Sequence, residues 1–225
     1  MSANSHLKQA VVEATKATGV LPCIKLHFEA DWLAYAQAMH DGGARVIEVT
    51  MTTPGALEAI QAIAGTFGDR LYVAAGTVLD PATARMAILH GSSLIVSPTV
   101  RPAVIGAANR YGVPVYCGAF TATECQTALE SGASMLKIFP ARIGGPSYMT
   151  NLRMILPGAD LIPSGGVSIE NAAEFIRCGA CAVSGARVFM NQQKISQEGL
   201  GWLTLQVAKF IQVVHEAKEA LPPLP

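Results

Sequence analysis

Two charged side chains sit where an apolar strand would be expected, and together they could do covalent chemistry. Lys137 interrupts the run Ser134, Met135, Leu136, Lys137, Ile138, Phe139, Pro140, and Glu48 interrupts Val46, Ile47, Glu48, Val49. Burying an ammonium or a carboxylate without a partner is unfavourable, so each must find an opposite charge or give up its own. An amine that sheds its proton near neutral pH is a nucleophile for carbonyl carbons. A carboxylate beside it supplies a general acid and base. Plainer arrangements also suit these residues: a lysine whose stem lies on apolar surface while its head reaches water, or a buried ion pair that serves the fold alone.

The elements that must position these groups recur along the chain. Short apolar runs occupy Leu21 to Leu26, Val46 to Val49, Leu71 to Ala74, Leu94 to Val96, Val113 to Tyr116, Met135 to Ile138, Leu161 to Pro163 and Ala182 to Ser184. These eight runs are spaced by about one strand plus one helix, as repeated βα units require. Thr53 with Pro54 and Asp80 with Pro81 each place a capping side chain before a proline at the first helical position. Thr121 and Glu124 have capping-box spacing. Gly42, Gly91, Gly112, Gly132 and Gly179 follow apolar helical stretches, where a left-handed terminal residue is wanted. Leu200 to Ala220 reads as an amphipathic closing helix, and the Pro222–Pro223 tail is expected to fray.

Eight parallel strands in 225 residues indicate an α/β chain folded as a (β/α)₈ TIM barrel, a single domain over residues 1–225. An open doubly wound sheet is the runner-up, but no Gly-x-Gly-x-x-Gly fingerprint follows an early strand. In a barrel the reactive groups gather at the C-terminal ends of the strands. Those ends are polar here: Glu48 and Thr50 on the second strand, Thr77 after the third, Ser97 and Pro98 at the fourth, Lys137 on the sixth. Two anomalous charges in one mouth favour the reactive reading over the structural pair. Ser164, Gly165 and Gly166 follow the seventh strand, and Ser184, Gly185 and Ala186 end the eighth. Glycines there let backbone N–H groups approach a phosphate, which points to a phosphorylated substrate.

Composition narrows the partners. The chain is 51% hydrophobic, and its 16 basic and 16 acidic residues cancel without a basic block, so neither nucleic acid nor an anionic membrane is indicated. No stretch approaches the roughly 20 apolar residues of a membrane span, and Met1 to Gln9 lack an apolar signal core. Five cysteines, with only Cys178 and Cys181 close together, complete no zinc site, and a reducing cytoplasm suits them. His6, His27, His40, His90 and His215 have no metal spacing; His27, after the first strand, is a candidate for the mouth. Met51, Met86, Met135, Met149 and Met154 read as core filler. No metal and no cofactor is expected.

Taken together, Val46–Ile60, Val73–Pro81, Leu94–Pro98, Thr121–Glu124, Met135–Ala141 and Pro163–Val167 resemble the 2-keto-3-deoxy-6-phosphogluconate/4-hydroxy-2-oxoglutarate aldolase family. The resemblance implies a class I aldolase on a (β/α)₈ barrel, commonly a homotrimer, cleaving a phosphorylated 2-keto acid to pyruvate and glyceraldehyde 3-phosphate. It makes Lys137 the Schiff-base lysine and Glu48 the acid/base. It places Thr77, Pro98 and Phe139 around the pyruvyl group, and Gly165, Gly166 and Gly185 around the phosphate. An apolar wall of Ile138 and Phe139 would favour the neutral amine. Where gluconate-type members carry a carboxylate-gripping arginine, this chain has Thr52, which carries no charge. Galactonate-type relatives place an arginine on the first strand instead, where this chain has Lys25, the candidate for the carboxylate. The segments Thr121–Glu124, Thr127–Ala133 and Leu136–Pro140 look closer to that branch. Ala186 replaces a frequent phosphate-binding serine, which lowers phosphate affinity or leaves Ser184 to supply the hydroxyl. Competing expectations are an aldolase for 4-hydroxy-2-oxoglutarate, a phosphosugar isomerase or epimerase, and a phospho-ligand-binding barrel without catalysis.

Overall fold

The strands alternate residue by residue between two apolar environments, and that alternation builds the molecule. The structure, a computed structural model, describes residues 3–26 and 30–221. Helix α1 (Ala3–Thr18) precedes strand β1 (Val20–Ile24), and α2 (Trp32–Asp41), β2 (Val46–Thr50), α3 (Ala56–Phe67), β3 (Tyr72–Gly76), α4 (Pro81–Leu89), β4 (Leu94–Ser97) and α5 (Pro102–Arg110) follow. Then come β5 (Val115–Ala119), α6 (Ala122–Glu130), β6 (Met135–Ile138), α7 (Ala141–Ile155), β7 (Leu161–Pro163), α8 (Ile169–Arg177), β8 (Val183–Gly185), α9 (Gln192–Glu198) and α10 (Leu200–Glu219). The strands pair in parallel in the order β7-β6-β5-β4-β3-β2-β1-β8. Bridges from Leu161 to Ala180 and from Ser164 to Ser184 join the two ends, giving the (β/α)₈ barrel that the spacing of apolar runs predicts.

Residues such as Ile47, Val49, Val73, Ile95, Leu136 and Ile138 face outward into the core between sheet and helices. Their neighbours Val46, Ala74, Leu94, Val96, Tyr116, Met135 and Ile162 fill the barrel interior. Helix α1 plugs the lower end of that interior: Val11 is fully buried in it, and Thr15 Oγ1 lies 2.7 Å from the Tyr116 hydroxyl. Burial pushes the Tyr116 phenol well above its usual range, so it stays protonated as a hydrogen-bonding group. Helix α10 turns Leu203, Val207, Phe210, Val214 and Ala217 inward at alternating spacings of four and three, and packs on α2 and α8.

Local punctuation follows the sequence in most places. Asp80 accepts from Thr83 N–H at 2.8 Å, and Thr121 and Glu124 form the reciprocal box at the start of α6. Thr53 is a correction, because α3 starts later, behind Gly55 with φ of 68°. Thr53 is instead buried, and its Oγ1 takes the Leu26 N–H at 3.2 Å, tying the end of β1 to the loop after β2. Gly42 is a second correction: its φ is −75°, and Gly43, at 95°, takes the left-handed position. A Cβ at Gly42 would press on the Thr204 carbonyl of α10, so its glycine serves a close approach of helices. Among the methionines, Met135 and Met149 are buried, but Met86 and Met154 are 49% and 76% exposed, on outward helix faces that residue type alone does not reveal. His27 and the Pro222–Pro223 tail lie outside the described residues.

Candidate active site

Strands β2 and β6 are four strands apart whichever way the barrel is travelled, so inward side chains at matching heights meet across its interior. Glu48 and Lys137 do so. Lys137 Nζ donates to Glu48 Oε2 at 3.1 Å and lies 3.4 Å from Oε1, with side-chain exposures of 10% and 2%. Two glycines on the same inner face permit close approaches, Gly76 to the carboxylate of the pair and Gly118 to the neighbouring strand end. A Cβ at Gly76 would overlap the Glu48 carboxylate, and one at Gly118, the register partner of Lys137, would overlap the Pro98 backbone. Cys23, paired in register with Glu48, completes this layer; burial, and then the Glu48 charge, hold its thiol well above its usual range.

The pair forms the floor of a cavity of about 780 Å³, a size suited to a small metabolite. Thr77 and Pro98 contribute one wall, and Phe139 another. Thr77 has φ of 58°, a strained setting for a β-branched residue, of the kind that surrounding structure must hold in place. Ile138 is a correction to the expected apolar wall: strand alternation turns it outward, and only Phe139 of that pair lines the cavity. Lys25 shares the inward parity of Cys23 and reaches the rim.

Ser164, Gly165 and Gly166 line the opposite end, with positive φ at both glycines. Arg142 N–H donates to the Gly165 carbonyl at 2.9 Å, binding the start of α7 to this loop. Ser168 N–H donates to Asn171 Oδ1 at 2.8 Å at the head of α8. Three expected site residues stand outside the lining. Thr52 is exposed and bonds its Oγ1 to Thr50 Oγ1 at 3.1 Å; Gly185 lies on β8 beside Val188; Ser184 is buried at the foot of the site. Cys23, Arg142, Arg187 and Gln192 line the cavity without having been singled out by sequence. Cys23 was detectable as an inward residue two before Lys25, and Arg187 lies one residue past Ala186. Among the described residues no cluster of His, Cys, Asp and Glu has the geometry of a metal site, and no helix is long and apolar enough to cross a membrane.

An amine and a carboxylate in contact at the base of a cavity with cations along its rim can attack a carbonyl, shuttle its protons and hold an anionic substrate. Comparison with known proteins agrees with that chemistry. The sequence model described as KDPG and KHG aldolase matches residues 11–204. A 2-dehydro-3-deoxy-6-phosphogalactonate aldolase of Escherichia coli is 35% identical over 187 residues, 82% of this chain and 89% of that protein. A 2-dehydro-3-deoxy-phosphogluconate aldolase of Treponema pallidum is 33% identical over 205 residues, covering 91% and 97%. Among solved structures, a native KDPGal structure superposes with a TM-score of 0.83 at 32% identity, over 89% of this chain and 96% of that one. A Legionella pneumophila KDPG aldolase holding pyruvate as a covalent carbinolamine gives 0.80 at 26% identity, over 87% and 95%.

Proposed function

Because this chain belongs to the KDPG and KHG aldolase family and is a lyase of the aldolase type, we propose that it cleaves a 2-keto-3-deoxy-6-phospho sugar acid, of gluconate or galactonate type, to pyruvate and glyceraldehyde 3-phosphate. The observation that carries this reading is the contact of Lys137 with Glu48 across the barrel at the cavity floor. Glu48 takes a proton from the Lys137 ammonium, and the free amine adds to the C2 ketone to give a carbinolamine. The Glu48 carboxyl returns its proton to the carbinolamine hydroxyl, which leaves as water, so that Glu48 is again a carboxylate and an iminium remains as an electron sink for the C3–C4 bond. Glu48, directly or through a water, then takes the C4 hydroxyl proton; the C3–C4 bond breaks, its electron pair forms the enamine, and the aldehyde leaves. Protonation at C3 and addition of water at C2 release pyruvate and restore the amine.

Lys25 is our candidate for the substrate carboxylate, as a point charge at the rim. Thr77, Pro98 and Phe139 would enclose the pyruvyl group, and Gly165 and Gly166 would approach the phosphate with backbone N–H groups. Gly185 and Ser184 would act from beneath this end of the cavity, and Thr52 would hold Thr50 in place. We further propose a single domain, a cytoplasmic location and a homotrimer; the neighbouring exposed pair Met154 and Ile155 at the end of α7 offers apolar surface for a second copy. Pyruvate release from the two C4 epimers, followed with a coupled reductase, tests the function. One epimer should be cleaved with the higher kcat/KM, and absence of pyruvate from both would overturn the reading.

A further inference from the structure

Among the described residues, the cavity is lined by four cationic side chains, Lys25, Lys137, Arg142 and Arg187, and by one carboxylate, Glu48. Lys137 is matched by Glu48 at 3.1 Å, and no other carboxylate among the described residues lines the cavity to meet Lys25 and the two arginines, so a ligand can supply that charge. Arg142 is fixed at the glycine end of the cavity: its N–H donates to Gly165, and a Cβ on Gly166 would collide with its own Cβ. Arg187 leaves the loop after β8 into the same cavity. Gln192, at the start of α9, also lines it, and its Nε2 is buried with no acceptor among the described residues. A buried amide donor without an acceptor is a costly arrangement that a ligand oxygen would relieve.

We propose that Arg142 and Arg187, with the side-chain amide of Gln192, form a side-chain clamp for a phosphate monoester dianion, and that this clamp sets the preference for phosphorylated substrates. The inference rests on the proposed aldolase function and deepens it. Charges then balance along the cavity: Lys25 meets a carboxylate, and two guanidinium forks meet a phosphate carrying nearly two negative charges. A neutral methyl at Ala186 is no loss in such a site, because the forks supply charge-assisted donors that a serine hydroxyl would not match.

The test titrates inorganic phosphate into the wild-type protein and into Arg142→Gln, Arg187→Gln and Arg187→Lys by calorimetry. It also compares kcat/KM for a 2-keto-3-deoxy sugar acid with and without its phosphate. Each glutamine variant should weaken phosphate binding roughly 10- to 100-fold and lower the phosphorylated-to-unphosphorylated ratio by a similar factor, with Arg187→Lys in between. Phosphate affinity and substrate ratio retained in both glutamine variants would overturn the clamp. Borohydride trapping of pyruvate by the same proteins separates the two claims: arginine-dependent phosphate binding with no adduct on wild type upholds the clamp and defeats the aldolase reading, whereas an adduct with arginine-independent phosphate binding does the reverse.

Discussion

Glu48→Gln keeps the shape of the carboxylate while removing its capacity to take a proton, so it separates contact from catalysis. It should slow turnover by roughly 10² to 10⁴ while some imine still forms on Lys137, measured by steady-state kinetics beside trapping. An unaltered rate would remove Glu48 as the base. Lys25→Ala removes the rim cation and should raise KM for substrates bearing the carboxylate, with kcat less affected; an unaltered KM would end its assigned role. At this scale the sequence was informative wherever a residue contradicted its surroundings. A lysine and a glutamate within apolar strands announce themselves. Arg142 and Arg187 do not, because an arginine at the start of a helix or in a loop is ordinary, and only the closed barrel shows that these two line one cavity.

Strand alternation decides which side chains share the site, and glycines decide how close they come. Gly76→Ala would drive a methyl into the Glu48 carboxylate, so activity should fall far more than thermal stability; a variant with full kcat/KM would show that Glu48 has room to move. Helix α6 makes a separate prediction. Backbone donors at Thr121 and Phe120 hold the Glu124 carboxyl below its usual range. Its contribution to stability is therefore present above the unfolded carboxyl range near pH 4.3 and is lost as pH falls through the lower folded value. Denaturant midpoints for wild type and Glu124→Gln should converge in acid and separate towards neutral pH; a constant gap would contradict the cap. All eight strands were legible from apolar runs, and the Asp80 and Thr121 caps from spacing. Thr53 misled because the Thr-Pro spacing of a cap also suits a buried threonine bridging two loops, and Gly42 because adjacent glycines leave the left-handed position ambiguous by one residue.

For the molecule as a whole, one closed sheet does two things at once. Its lower half is filled by apolar side chains and plugged by α1 through Val11 and the Thr15–Tyr116 hydrogen bond, while in its upper half Gly76 leaves room for the carboxylate that meets the amine. Rigidity below thus supports a charged cavity above, in a chain whose formal charge is zero. Among the described residues, cations outnumber carboxylates along the cavity lining, where they can draw in an anionic substrate without making the whole surface basic. Composition alone conceals this, because the balance of 16 basic and 16 acidic residues averages over the molecule.

Borohydride reduction in the presence of pyruvate, followed by intact mass and peptide mapping, tests the central claim without requiring the right sugar. Wild-type protein should gain one reduced pyruvyl group on Lys137, and Lys137→Ala should gain none. Folded wild-type protein that forms no adduct, or forms it on another lysine, would contradict the account.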